Sequence, residues 1–238
     1  MFTFVLGSCG IIGRAVVSEL TRKNLQFVGI DKYSTNDIGY SENYIQHNME
    51  TQDSIGLVVD LVNTRKNLDR INIINCAGYD AKPTDNMYDP KEFEKMVMIN
   101  QTWPVKFVQE LLMIFNDNKC KLNLILLDTT YSKISPKPEH YKNGYIKPYD
   151  YILSKAYTES FVKYLTVHYP FHKFNCVAPH LVVDDEASLI SATNLLKTGI
   201  VNRACKPEEI SSVICYLIDP LSDFVKGTRI QVDGGWSS

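Results

Sequence analysis

No apolar run in this sequence approaches the roughly 20 residues that a membrane helix needs, so no membrane partner is expected. A basic excess is missing too. Lys and Arg number 25 against 27 Asp and Glu, for a formal net charge of -2 and a pI of about 6.2. Such a chain has no basic field to gather phosphate backbones, which excludes nucleic acid as an expected partner. The six cysteines (Cys9, Cys76, Cys120, Cys176, Cys205 and Cys215) form no CxxC pair, and several lie in apolar segments. That usage predicts reduced, buried thiols and no metal site. Residues 1–6 carry no charged leader and run straight into glycines, so they read as a first strand and not a signal peptide, and the expected location is cytoplasmic. There is no internal repeat and no low-complexity tract. What remains is 238 residues, 45% hydrophobic and 22% charged. That is enough for one large α/β domain and short for two.

The apolar residues 2–6 are followed by Gly7-Ser8-Cys9-Gly10-Ile11-Ile12-Gly13 and then by residues 14–20 with apolar positions at helical spacing. Strand, glycine turn and helix follow one another. Glycines let a backbone approach a pyrophosphate closely, and a helix amino terminus offers it unpaired N–H groups; a plain tight turn is the alternative. Residues 26–30 make a second buried strand that ends at Asp31. A carboxylate there can accept from both hydroxyls of an adenosine ribose and repels a 2′-phosphate, which predicts NAD over NADP. Lys32 blurs this, and a loop-capping Asp is the other reading.

A polar loop over residues 34–43 leads to a short strand at 44–49, a helix at 53–62, and a strand at 71–75 that runs into Cys76-Ala77-Gly78, small residues where a flat ring needs room. Residues 91–115 have helical periodicity, interrupted by Asn100 on the apolar face. Asn is unfavourable in mid-helix, so a functional role and simple tolerance near a kink at Pro104 both stand. Residues 122–127 form a central strand ending in Asp128-Thr129-Thr130. The Pro-rich segment 131–148 reads as a loop over the site. Residues 174–179 are another strand, 185–200 a possible mobile lid, Pro207 the start of a last helix, and 227–235 the closing strand.

Tyr151 and Lys155 lie four residues apart at the start of a helix that is expected to continue through Thr158, Phe161, Leu165 and Val167. Residues i and i+4 share a helix face, so phenol and ammonium project into one place. Holding a tyrosine of pKa near 10 as phenolate at neutral pH costs about 4 kcal/mol, which a cation partly offsets. Alone, such a pair can equally be a solvated face.

Together these motifs resemble the short-chain dehydrogenase/reductase family, in its compact single-domain form, across nearly the whole chain. The resemblance implies a Rossmann-type, doubly wound parallel α/β sheet. It implies a nicotinamide cofactor held by Gly7, Gly10, Ile12 and Gly13 at the pyrophosphate, Asp31 at the ribose, and Asn48 and Met49 at the adenine. Asn75, Ala77 and Gly78 match the family's Asn-Asn-Ala-Gly element, Val182 is expected to approach the carboxamide after Pro179, and Tyr151 and Lys155 also touch the cofactor. The family's tetrad implies Asn100 as the residue that orders a water, Tyr151 as acid/base, and Lys155 as ribose ligand and modulator of the tyrosine. Threonine stands where Ser is usual, with Thr129 the first choice and Thr130 the second. Gly is usual after Pro179; His180 is read here as an exposed loop histidine, with substrate contact as the alternative. The closing Asp233-Gly234-Gly235-Trp236 implies packing and subunit contact.

The implied activity is NAD-dependent interconversion of a secondary alcohol and a ketone by a homodimer or homotetramer. The polar insert, with Tyr131, Lys137, His140, Tyr141, Lys142 and Asn143, resembles that of bacterial family members associated with sugar and surface-polysaccharide biosynthesis, which implies a sugar or sugar-nucleotide substrate. The substrate loops are then 131–148 and 184–206. A catalytically idle cofactor sensor or scaffold on the same fold is the other class of function.

Overall fold

A computed structural model describes residues 1–34, 43–51, 54–81, 89–117, 119–141, 147–183, 195 and 200–238. Most of the 34–43 loop, Asp53, Lys142 and Asn143, and nearly all of the expected 185–200 lid lie outside the described residues.

The strands are β1 (Phe2–Leu6), β2 (Phe27–Asp31), β3 (Tyr44–Gln46), β4 (Arg70–Asn75), β5 (Lys121–Leu127), β6 (Lys173–Pro179) and β7 (Arg229–Val232). They pair in the order β3-β2-β1-β4-β5-β6-β7, all parallel. This is a single-domain, Rossmann-like doubly wound sheet, and its chain order reverses between β1 and β4. Ligands bind such sheets at the carboxyl ends of the strands, at that crevice.

Among the described residues seven helices cover the two faces: α1 (Ile11–Arg22), α2 (Ser54–Asn63), α3 (Pro90–Val97), α4 (Trp103–Ile114), α5 (Tyr149–Lys155), α6 (Thr158–His168) and α7 (Pro207–Ile218). Successive strand residues point to opposite sides, so each strand feeds two cores. Phe4, Leu6, Ile71, Ile73, Leu122 and Leu124 pack with Val58, Phe107, Leu111 and Leu165 on one face. Val5, Ile74, Ile125 and Val177 pack with Val16, Leu20, Ile210 and Ile214 on the other. Each of these large aliphatic or aromatic side chains contributes about 1.5–3 kcal/mol by leaving water.

Local chemistry sets the helix ends. α1 stops in a left-handed cap: Asn24 takes φ 54 and donates to the Thr21 carbonyl at 2.9 Å, while Leu25 N–H reaches the Leu20 carbonyl at 3.0 Å. α3 starts where the Asp89 carboxylate accepts from Lys91 N–H at 2.9 Å, with Pro90 as its first residue.

Three expectations need correction. The strand expected over 44–49 ends at Gln46, because the chain turns at Asn48, whose side chain accepts from Glu50 N–H at 2.9 Å. The helix expected over 91–115 is two helices joined by a π-helical turn, Met98–Thr102. Pro104 lacks the N–H that would bond the Asn100 carbonyl four residues back, and the Tyr157 hydroxyl donates to that carbonyl instead, at 3.0 Å. The helix expected to run from Tyr151 through Val167 breaks at Ala156–Tyr157. There the Thr158 hydroxyl takes the Lys155 carbonyl at 2.8 Å, in competition with the helix ladder.

Candidate active site

The three glycines of the first turn have different neighbours. A Cβ on Gly7, which sits at φ +71, would lie 2.4 Å from Ala77 N, and one on Gly13 would lie 2.1 Å from the Gly7 carbonyl. Both are therefore required by the protein's own packing. A Cβ on Gly10 would meet nothing nearer than 3.5 Å, and this residue is exposed at the amino end of α1, whose first turn carries no acid. Gly10, Ile11 and Ile12 line an open cleft. A closely approached backbone before an uncapped helix terminus fits a pyrophosphate.

At the tip of β2 the buried Asp31 carboxylate accepts from Cys9 N–H at 2.9 Å through one oxygen and from Lys32 N–H at 2.7 Å through the other. Each oxygen keeps a lone pair for a ribose hydroxyl. The Lys32 ammonium is directed to Glu50, 3.0 Å away. Asn48 is exposed and Met49 half-buried at the edge of the sheet, and neither lines the cleft. Across the crevice, Asn75 accepts from Ala77 N–H at 3.1 Å and so shapes the turn at Cys76, Ala77 and Gly78.

Asn100, buried in the π turn, uses its whole amide to fasten that turn. Its nitrogen donates to the Tyr79 carbonyl at 2.8 Å and to Ser154 Oγ at 2.9 Å, and its oxygen accepts from Tyr79 N–H at 2.8 Å. Loop 76–79 and helix α5 are thereby held together. On α5, Lys155 is buried and donates to the Leu127 carbonyl, the last of β5, at 3.0 Å. Burial brings its ammonium down to about 8, with Asp128, Cys76 and Asp80 acting in the opposite sense. Burial, and after it the charge of Asp80, pushes the Tyr151 phenol up, against hydrogen bonding from Thr129. The phenol therefore holds its proton in the free protein. Lys147 stands 4.9 Å from the centre of the Tyr151 ring and pairs with Asp80.

The two threonines have different partners. Thr129 is beside Tyr151, and its hydroxyl also accepts from Tyr131 N–H at 3.3 Å. Thr130 Oγ1 is 3.0 Å from His180 Nδ1. Behind them the buried Asp128 carboxylate pairs with Arg229 Nε at 2.6 Å and accepts from Ser132 Oγ at 2.9 Å, while Arg229 also donates to the Thr129 carbonyl at 2.9 Å. β7 thus fixes the corner at the end of β5.

His180 is not an exposed loop residue, contrary to the sequence expectation. It is half-buried, stacked on Trp236 at 4.2 Å and 15° between ring planes, and burial depresses its imidazole to about 4. Trp236, expected in a packing role, therefore backs the cleft wall. The described part of the insert is likewise folded inward: Tyr131 and Tyr141 share a 2.8 Å hydroxyl contact and His140 is buried.

One cleft of about 770 Å³ joins Gly10, Ile12, Gly78, Thr129, Tyr151, Lys155, Pro179 and Val182 along the carboxyl edge of the sheet. Val182 is fixed there by a bridge to Cys205. Tyr79, Asp80, Lys147 and the Asp128–Arg229 pair belong to this site and were missed from the sequence. Only the nearness of Tyr79 and Asp80 to the Ala-Gly turn hinted at them. Among the described residues no His, Cys, Asp and Glu cluster could hold a metal, and no helix is long and apolar enough to cross a membrane. All six cysteines are free thiols, and four are buried.

The chain is similar to a short-chain dehydrogenase family protein from Francisella tularensis (22% identity, 99% of this chain and 98% of that one, TM-score 0.79). It is also similar to a short-chain dehydrogenase from Leptospira borgpetersenii with bound NAD+ (21%, 100% and 92%, 0.83) and to the aldohexose dehydrogenase of Thermoplasma acidophilum (17%, 99% and 93%, 0.80). The family model described as "Enoyl-(Acyl carrier protein) reductase" matches residues 12–237, almost the whole length. The chain thus belongs to the short-chain dehydrogenase/reductase family of oxidoreductases, whose members bind nicotinamide cofactors.

Proposed function

We propose that this protein is an NAD-dependent oxidoreductase that interconverts a secondary alcohol and a ketone on a sugar or sugar-nucleotide-like substrate. The observation that carries it is the convergence of Thr129, Tyr151 and Lys155 in the same cleft as the glycine turn. Bound NAD(H) supplies or accepts the hydride. In reduction Tyr151 gives its phenolic proton to the developing alkoxide, and in oxidation it takes the alcohol proton. Lys155, its charge held close in a dry site, stabilises the phenolate so formed and binds the nicotinamide ribose. Thr129 holds the reacting oxygen beside the phenol, and Asn100 keeps loop 76–79 and α5 in register. Gly7, Gly10, Ile12 and Gly13 cradle the pyrophosphate, and Asp31 takes the adenosine ribose. Asn48 and Met49 border the adenine, and Asn75, Ala77, Gly78, Pro179 and Val182 border the nicotinamide half.

Preference for NAD rests on the Asp31 carboxylate, which a 2′-phosphate would meet with like charge, and on Lys32 being turned to Glu50. The substrate class rests on the polar groups that line the cleft, Tyr131, Tyr141, Lys147 and Asp80, which suit a hydroxyl-rich substrate better than a hydrocarbon. The aldohexose dehydrogenase of Thermoplasma acidophilum, similar in fold, agrees with a sugar substrate. We place the protein in the cytoplasm as a homodimer or homotetramer.

The test is turnover of an aldohexose and sugar-nucleotide panel with NAD+ and NADP+, in wild type and Tyr151→Phe. Loss of turnover in the variant with retained NADH binding is expected. Near-normal turnover by Tyr151→Phe would refute the acid/base assignment, and reaction of simple aliphatic alcohols alone would refute the substrate class.

A further inference from the structure

The cleft is lined by the corner after β5 (Thr130, Tyr131 and Tyr141) and by the segment after β6 (His180 to Val183). The imidazole of His180 stands on that second wall, and it is held from several sides. Its Nδ1 lies 3.0 Å from Thr130 Oγ1 and its backbone N–H donates to the Val232 carbonyl at 3.3 Å. The ring stacks on Trp236 at 4.2 Å and meets the edge of Tyr131 at 6.0 Å and 86°.

Trp236 is itself fixed. It packs edge-on against His140 at 5.5 Å and against Tyr131 at 6.0 Å, and the turn that carries it is tied by the Asp233 carboxylate to Gly235 N–H at 3.0 Å and Ser237 N–H at 3.1 Å. Gly234 and Gly235 both take positive φ to make that turn. Rotation of His180 out of the cleft would break the Thr130 contact and the Trp236 stack together. A side chain so restrained limits space as backbone does, whereas a long flexible side chain would yield to a ligand. Nε2 is buried with no hydrogen-bond partner among the described residues, so the ring contributes shape to the wall and no polar reach.

We propose that His180 is a specificity-determining residue: a rigid imidazole stop, with Trp236 and Thr130 as its positioning residues, that limits the bulk a substrate carries on the β6 side of its reacting carbon. The inference rests on the alcohol–ketone reading of the cleft. Substrates that are compact on that side of the reacting carbon pass this stop, and those with a second ring there do not.

The experiment compares NADH oxidation by wild type, His180→Gly and His180→Ala with acetoin, 2-hydroxycyclohexanone and benzoin, hydroxyketones of rising bulk. The kcat/KM ratio of benzoin to acetoin is expected to rise by about ten-fold or more in His180→Gly, the scale on which pocket volume discriminates. His180→Ala should rise in the same direction and serves if the glycine variant does not fold. Trp236→Ala should move the ratio by a smaller factor and Trp236→Phe should restore it, a pattern that general destabilisation would not produce. A ratio within about two-fold of wild type in a His180 variant that still binds NADH overturns the proposal. None of the three ketones is a sugar, so absence of turnover with all three in every protein bears on the choice of probe and not on the enzyme reading, which the sugar panel tests. The stop is then read from the melting temperature of the NADH complexes: added benzoin should raise it for His180→Gly more than for wild type, and equal shifts overturn the proposal.

Discussion

Lys155 and Lys173 are the same chemical group in nearly the same condition, and they stand at opposite edges of one sheet. Both are buried, and burial brings each ammonium down to about 8. Their partners differ. Lys173, the first residue of β6, donates to the carbonyls of Leu217 and Ser222 at 2.8 and 2.7 Å and to Ser222 Oγ at 2.6 Å. All three of its protons are used. Lys155 donates to one carbonyl, that of Leu127, and faces a cleft. A depressed pKa thus marks burial at both places and chemistry at neither by itself. Open geometry separates the two: Lys155 keeps donors for a ligand, and Lys173 has none left.

The amino edge repeats the point with carboxylates. Asp223 is gripped by Arg70 at 2.6 Å and Lys121 at 2.7 Å, from the first residues of β4 and β5, and these pairs hold it well below the usual carboxylate range. Asp31 at the carboxyl edge accepts only backbone N–H groups in the described structure and keeps a lone pair on each oxygen. One edge is a closed lattice of charge. The other is left open.

The comparison breaks most sharply under matched substitutions. Lys155→Met should lower kcat by a factor on the order of 10³ while the fold keeps its melting temperature, because only the Leu127 carbonyl loses a partner. Lys173→Met should leave turnover per folded molecule within a few-fold and lower stability by about 1–3 kcal/mol, because three acceptors are orphaned together. Turnover assays and urea unfolding on both variants decide it. A catalytic collapse in Lys173→Met, at unchanged structure, would make the two edges alike.

Next in size is the Thr129 series. Thr129→Ser keeps a hydroxyl and should keep activity. Thr129→Val keeps the shape without the hydrogen bond and should lose kcat by a factor on the order of 100. Equal activity of the Val variant and wild type would transfer the role to Thr130, whose hydroxyl the structure gives to His180.

Much of the open edge was legible because it is local in sequence. The glycine turn, Asp31 and the Tyr151–Lys155 spacing each lie within a few residues of a recognisable strand or helix, and short-range geometry follows from backbone periodicity. The closed edge and the back of the site were not legible, because long-range pairs make them. Arg229 reaches Asp128 across 101 positions, and Lys121 reaches Asp223 across 102. His180 shows the same limit. After Pro179 it has the local signature of a loop, and its burial depends on Trp236 folding back from the far end of the chain. The π turn at Met98–Thr102 was hidden likewise, since the carbonyl that Pro104 leaves free is met by the Tyr157 hydroxyl from 57 positions away.

A smaller effect tests the Asp31 end of the open edge. Asp31→Ala should weaken NADH by about ten-fold, through loss of the ribose acceptor, and bring the NADH and NADPH affinities closer together. Fluorescence titration reads both. Tighter binding of NADPH than NADH by wild type would reverse the cofactor assignment and turn attention to Lys32.

The smallest expected effect is a slope, and it returns to the two lysines. Each has a folded-state pKa near 8 against an ordinary value of 10.5. Between those values the unfolded chain still carries the proton and the native chain does not, so stability rises with pH as the native ammonium discharges. Below about 8 both states are protonated, and the folded protein bears the full cost of the buried charge. The gain should reach about 1 kcal/mol per lysine over the first pH unit above 8. Buried thiols act the other way at higher pH: Cys76, pushed up to about 12 by burial, keeps its proton while an unfolded thiol near 9 loses it. The window to watch is therefore pH 7.5–8.5, before the thiols of the unfolded chain discharge. Unfolding free energies there should climb in wild type and climb less in Lys155→Met and in Lys173→Met, by similar amounts. A slope that disappears in one variant and is untouched in the other would show that burial does not act equally at the two edges, and that one of the two ammonium groups is solvated after all.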